Sequence, residues 1–240
     1  MMIIMPYYGS GDLIHYITKD FYNISWEKKL DRLKRIIIGL MDLHRAEIVH
    51  RDFHSGNILL DDEDTFVSDL GLSKSATTES IDDSENYGII PYIAPEIFQG
   101  QKYTEKSDIY SFGMIMWEIM TGRRPFWDRN HDVDLIIEIV DGLRPPIVTN
   151  APEGYIELMK ECWHPDPVKR PTASSITDWK SNKFSIMLNN EQKNPTKIIE
   201  SQNIGPVTYN PGAIYKSRPL SAMIRSAMSS RSLSTQSTGK

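Results

Sequence analysis

The run Asp108–Thr121 is apolar on nearly every helical face and is stopped by Gly122. A helix that is hydrophobic all round has to be covered on every side, by lipid or by other protein elements. Its apolar stretch, Ile109 to Met120, contains Glu118 and falls well short of the ~20 residues that span a bilayer. The run is therefore expected at the centre of a mainly helical protein, wrapped by amphipathic neighbours.

Such neighbours are legible on both sides of it. Ser25 is a suitable N-cap, Glu27 sits in the first turn behind it, and Leu30, Leu33, Ile36, Ile37, Leu40 and Leu43 recur at helical spacing. Shorter helices are expected at Asp12–Thr18, Asp132–Val140 and Gly154–Glu161. Met1–Met5 reads as a short buried strand, followed by turn formers from Pro6 to Gly11. Two further strands, near Ile58–Leu60 and Phe66–Ser68, flank an acidic turn and predict a small β-ribbon. Residues 72–87 are mostly Ser, Thr, Asp and Glu and read as a loop. The fold class expected is mainly α, in the α+β sense, over residues 1–180.

Charge divides the chain at about the same place. Residues 1–180 carry 19 Lys and Arg against 30 Asp and Glu, whereas 181–240 carry 8 against 2. An acidic body argues against nucleic acid as a partner. The basic, Ser-rich segment 181–240 shows fading apolar spacing and is expected to be a flexible, disordered tail. The single Cys162 excludes an internal disulfide, and the N-terminal apolar run meets Pro6 too soon for a secretory signal. These features predict a soluble cytoplasmic chain without a membrane span.

Chemistry concentrates in His50-Arg51-Asp52-Phe53-His54-Ser55-Gly56-Asn57, which sets an acid and an amide five residues apart on a short loop. An Asp there can accept a proton from a hydroxyl nucleophile, and the Asn can hold a metal bridging nucleotide phosphates. Twelve residues on, Asp69-Leu70-Gly71 offers a second hard carboxylate on a glycine turn, suited to Mg²⁺. Phosphoryl transfer needs a nucleophile oriented in line and charge neutralised by metal, rather than covalent help. A lone His-Arg-Asp triplet arises by chance in roughly a few per cent of chains this long; the ordered set does not.

In that order, and with Ala94-Pro95-Glu96 downstream, these motifs resemble the catalytic loop, metal loop and activation-segment end of a eukaryotic-type protein kinase. Gly88–Glu96 is similar to the substrate-docking loop of that family, Ser107–Gly113 to its buried central helix, and Cys162–Pro167 with Arg170-Pro171-Thr172 to its last helix pair. The resemblance implies ATP and Mg²⁺ as cofactors and a protein substrate. It makes Asp52 the catalytic base, gives Arg51 a bridge to the activation loop, and makes Asn57 and Asp69 the metal ligands. It places Met5 behind the adenine, the backbone of Pro6 and Tyr8 at the hinge, Asp12 on the ribose and Leu59 under the adenine ring. Glu96 and Arg170 match a partly buried ion pair, and Ser73, Ser75, Thr77, Thr78, Ser80, Ser84 and Tyr87 become candidates for activating phosphorylation. The family's glycine-rich loop and strand lysine have no counterpart among residues 1–49, whose first lysine is Lys19. The resemblance therefore implies the hinge and C-terminal lobe without the N-terminal lobe.

Three positions depart from the usual pattern. Leu70 replaces the phenylalanine commonest between the metal-binding Asp and its Gly. His54 stands where serine/threonine kinases carry lysine, and Ile89 where they carry threonine. Tyrosine kinases, in turn, usually place the docking-loop proline earlier than Pro91; the mixture resembles the tyrosine-kinase-like group, mostly active on Ser or Thr, and leaves Tyr open as the acceptor. Two other functions fit parts of the sequence. One is a small-molecule phosphotransferase, which shares Asp52–Leu60 but not the docking loop. The other is a non-catalytic lobe that binds partners.

Overall fold

The computed structural model describes residues 8–61, 64–75, 86–178 and 183–237. The predicted hinge strand Met1–Met5, with Met5 and Pro6, lies outside them.

Helix α1 spans Leu13–Lys19 and starts at Asp12, whose side chain accepts the His15 N–H. Helix α2 covers Trp26–Arg45, capped by Ser25 as expected, and buries Leu30, Leu33, Ile36, Ile37 and Leu40 along one stripe. Strand β1 is the short segment Ile48–Val49. Strands β2 (Ile58–Asp61) and β3 (Asp64–Val67) pair antiparallel from Ile58↔Val67 to Asp61↔Asp64. The ribbon is the one expected, with β3 beginning two residues earlier because pairing runs up to the turn. Strand β4 (Lys74–Ser75) returns to pair with β1, and β5 (Tyr87–Gly88) closes the loop region.

One helical turn, α3 (Pro95–Phe98), precedes the central helix α4 (Glu105–Thr121). Thr104 and Ser107 exchange side-chain and backbone hydrogen bonds in a capping box, which moves the start of α4 ahead of the apolar run. Every residue from Ser107 to Thr121 is buried. Gly122 then takes φ +73, the left-handed geometry of a helix stop. Helices α5 (Val133–Val140), α6 (Tyr155–Cys162) and α7 (Ala173–Thr177) complete the body, and the core is one continuous cluster around α2, α4 and α6.

The segment expected to be disordered is instead packed onto this body. Helix α8 (Lys183–Lys193) buries Phe184 and Met187, with the Phe184 ring edge-on to Phe112. The stretch after it is pinned by Arg123, whose Nε donates to Gly205 O at 2.9 Å and whose Nη2 donates to Gln202 O at 2.6 Å. Strand β6 (Arg218–Pro219) pairs with β5, and α9 (Ser221–Ser237) follows, with Leu220, Ile224 and Ala227 buried. Low apolar density hid the order. The few apolar residues fall at spacings of three and four, so each helix needs only a narrow stripe to dock.

Candidate active site

One buried carboxylate organises the loop that carries Asp52. Asp108, in the first turn of α4, accepts from His44 Nε2 at 3.0 Å and from the backbone N–H groups of His50 and Arg51 at 2.8 and 3.0 Å. Arg51 adopts φ +72, a left-handed conformation that costs a non-glycine residue on the order of 1–3 kcal/mol. The two bonds from Asp108 hold the loop in this strained shape. Sequence reasoning placed Asp108 on a buried helix and gave it no role of its own. Its signal was a carboxylate in an otherwise apolar run, a residue type that is buried only when its oxygens are satisfied.

Asp52 is largely enclosed, with 7% of its side chain exposed and His54 Nε2 at 3.7 Å from its Oδ2. Burial pushes its carboxyl upward. The His54 contact, followed by the Ser217 hydroxyl and the charge of His50, outweighs that and leaves the pKa below the ordinary carboxylate value. Asp52 is therefore an ionised acceptor at neutral pH.

Asn57 is tied to it, since its Nδ2 donates to the Asp52 carbonyl at 2.9 Å. Ser68 binds the Asn57 carbonyl twice, through its N–H at 2.8 Å and its Oγ at 2.9 Å, and its own carbonyl contacts His50 Nε2 at 3.0 Å. These bonds link the predicted positions Asp52 and Asn57 to Ser68, the chain neighbour of the third, Asp69. Asp69 itself has φ +58, is solvent-facing, and accepts the Gly71 N–H on Oδ1. The donor set fits a hard cation that keeps phosphate or water ligands: Asn57 offers Oδ1, its nitrogen being engaged, and Asp69 a carboxylate. Among the described residues no three His, Cys, Asp or Glu side chains gather to enclose a metal by themselves.

The predicted nucleotide contacts converge as well. Asp12 and Leu59 meet in an isolated β-bridge, Leu60 N–H donates to Gly11 O, and the Tyr8 ring lies 4.9 Å from Phe66. Tyr8, Asp12 and Leu59 thus lie on one side of the ribbon. Most of the loop that Arg51 was expected to reach, residues 76–85, lies outside the described residues. The Arg51 guanidinium stands 4.8 Å over the Tyr103 ring, and Tyr103 Oη donates to Tyr87 O, so Arg51 touches the loop's end through an aromatic intermediary.

The docking-loop side is equally braced. Glu118 accepts from Ser55 Oγ at 3.1 Å and Tyr92 Oη at 2.5 Å, which ties the catalytic loop to the docking loop through α4. Glu96 and Arg170 form the expected pair, with Nη1–Oε1 at 2.6 Å and Nη2–Oε2 at 2.7 Å, both almost wholly buried.

Residues 1–179 match the family described as protein tyrosine and serine/threonine kinase. The chain is similar to the "Probable serine/threonine-protein kinase roco5" of Dictyostelium discoideum, 37% identical over 189 residues, which covers 72% of this chain and 7% of that protein. From the same organism, "Stress-activated protein kinase alpha" is 33% identical over 190 residues, 73% of this chain and 30% of the relative. "Dual specificity protein kinase splA" is 33% identical over 193 residues, 72% of this chain and 8% of the relative. The chain thus spans less than a third of each of these proteins. With a family match over residues 1–179, most of its length, this chain belongs to the protein tyrosine and serine/threonine kinase family.

Proposed function

We propose that the site transfers the γ-phosphoryl group of ATP to a serine or threonine hydroxyl of a protein, with Asp52 as the base. The observation that carries this reading is the Asp52–Asn57–Ser68 hydrogen-bond chain, which links the ionised Asp52 to Asn57 and to Ser68, the chain neighbour of Asp69. Asp52 orients the acceptor hydroxyl and takes its proton as the oxygen attacks phosphorus. Asn57 Oδ1 and Asp69 would hold Mg²⁺, which when bound neutralises the phosphate charge. Asp12, Leu59 and the hinge residues Met5, Pro6 and Tyr8 would seat the nucleoside. Arg51 would report the state of the activation loop to Asp52, whose backbone is adjacent to its own.

The serine/threonine preference rests on relatives such as the roco5 protein; His54 and Ile89 depart from the usual serine/threonine pattern, and the dual-specificity relative keeps tyrosine as a second acceptor. Residues 1–180 correspond, in this reading, to the hinge and C-terminal lobe of the domain.

The test is radiolabelled transfer from ATP to a panel of acceptor peptides. It uses residues 1–240 as they stand and the same residues joined behind the phosphate-binding lobe of a relative. Asp52→Asn should lower transfer by roughly 10²–10⁴-fold, the usual worth of a positioned base, while leaving the fold intact. Retention of most activity by Asp52→Asn, or absence of transfer in both forms, would overturn the reading.

A further inference from the structure

Residues 214–220 pass beside Asp52, where they lie against residues 86–88. Strand β6 pairs with β5 in the register Gly88↔Arg218 and Tyr87↔Pro219, and Leu220 N–H donates to Asn86 O at 2.7 Å. Gly88 borders the carboxylate, since a Cβ on it would lie 3.6 Å from Asp52 Oδ1 and 2.9 Å from Ile93 Cδ1. A side chain at 88 would press on Ile93 and sit at φ +148, a backbone conformation that favours glycine. Ser217, one residue before the paired Arg218, has an Oγ shielded from solvent that makes no hydrogen bond of normal geometry, and its hydroxyl is near enough to Asp52 to help hold that carboxyl below its ordinary value.

The flanking side chains are seated in built pockets. Tyr215 Oη donates to Pro125 O at 2.8 Å, its ring meets His131 edge-on at 4.8 Å, and the Arg124 guanidinium stands 4.7 Å over it. His131 Nδ1 bonds Ile214 O, Arg218 Nη2 donates to His131 O at 2.7 Å, and Leu220 is fully buried. A strand added to an exposed edge, with alternate side chains filling pockets, is a general mode of peptide recognition.

We propose that residues 214–220 are an intramolecular acceptor peptide docked at Asp52, so that Ser217 is a phosphorylation site of this chain and, until modified, a plug of the acceptor groove. This rests on the transferase reading above. In the step, Ser217 Oγ forms a bond to the γ-phosphorus of a nucleoside triphosphate, the bond to the bridging oxygen breaks, the nucleoside diphosphate leaves, and the hydroxyl proton passes to Asp52. The phosphate left on Ser217 then faces the Asp52 carboxylate, and like charges at close range expel the segment. The same contacts define the external acceptor that fits: an aromatic residue two before the hydroxyl, Arg-Pro directly after it, and an apolar residue three after it.

The test needs a readout independent of catalysis. A fluorescein-labelled peptide of residues 211–222 is titrated by anisotropy onto the full chain and onto the variant Tyr215→Ala/Leu220→Asp, which releases the native segment. At least tenfold tighter binding to the variant than to wild type is expected, and loss of that binding when the peptide carries phosphoserine. Should the variant unfold, hydrogen exchange on wild type decides: the amide of Leu220 should exchange at least 100-fold more slowly than in the free peptide. Exchange at the free-peptide rate overturns the proposal. So does transfer to other acceptors by a chain in which Ser217 stays unmodified on mass-spectrometric mapping. A protected, competable segment with no transfer to any acceptor supports the docking and counts against the transferase reading instead.

Discussion

Breaking the Glu96–Arg170 pair should cost far more than breaking a surface ion pair, and the geometry shows why. Arg170 has five N–H donors, and the structure occupies them: Nε on His164 O at 2.8 Å, Nη1 on Glu96 Oε1 and on Lys106 O at 2.9 Å, and Nη2 on Glu96 Oε2 with Pro165 O at 3.5 Å. The Arg170 side chain is 0% exposed and that of Glu96 6%, so water cannot replace a lost partner. Glu96→Gln keeps the shape, removes the charge and leaves a guanidinium in the interior. Each charge-assisted bond is worth about 1.5–3 kcal/mol, and stranding one buried ion costs about 3–5 kcal/mol, so the two routes agree on roughly 4 kcal/mol. At roughly 2–4 °C per kcal/mol for a chain of this size, the midpoint of thermal unfolding should fall by about 8–16 °C. A double-mutant cycle by urea denaturation, with Glu96→Gln, Arg170→Met and both together, should give a coupling above about 2 kcal/mol. Coupling below ~0.5 kcal/mol, the range of exposed pairs, would refute the reasoning.

Three further outcomes follow from buried groups. Burial pushes the Glu118 carboxyl up to about 7; because the unfolded chain releases this proton first, stability should fall as pH rises from the ordinary carboxylate range through about 7. Glu118→Gln should then be more stable than wild type by up to about 3 kcal/mol at pH 8 and equal to it near pH 4.5, and a pH-independent difference in urea midpoints would reject this. Lys29 is 3% exposed, lies 3.9 Å over the Phe21 ring, and burial pushes its ammonium down to about 7. The unfolded chain then holds more protons above that value, so stability should rise with pH from 7 towards 10.5, and Lys29→Met should be about 2–4 kcal/mol more stable at pH 6 with the gap closing by pH 10. Gly122→Ala meets both φ +73 and a Cβ 2.6 Å from Phe21 Cδ2; a loss of roughly 2–4 kcal/mol is expected, and a neutral result by calorimetry would show that α4 can end differently.

Much of this protein is legible in local pattern because local pattern is what the chemistry requires. An all-round apolar helix can only be central, and Ser25 or Asp132 before periodic leucines and isoleucines can only begin a helix. The spacing of Asp52, Asn57 and Asp69 is readable because all three lie on two short turns close together in the chain. The Glu96–Arg170 pair, 74 residues apart, was reached through resemblance alone, since nothing local links the two.

Tertiary structure decided the rest. Asp108 became the anchor of the loop that carries Asp52 only when α4 placed it within reach of the backbone N–H groups of His50 and Arg51. Glu118 became the link between Ser55 and Tyr92 by the same placement. The segment after residue 181 looked disordered because its apolar residues are sparse, yet Leu220, Ile224 and Ala227 need only one narrow groove. Whether such a stripe finds a groove depends on surfaces built by residues far away in sequence. Local composition carries no information about them, and for the same reason Ser217 could be found beside Asp52 only in three dimensions.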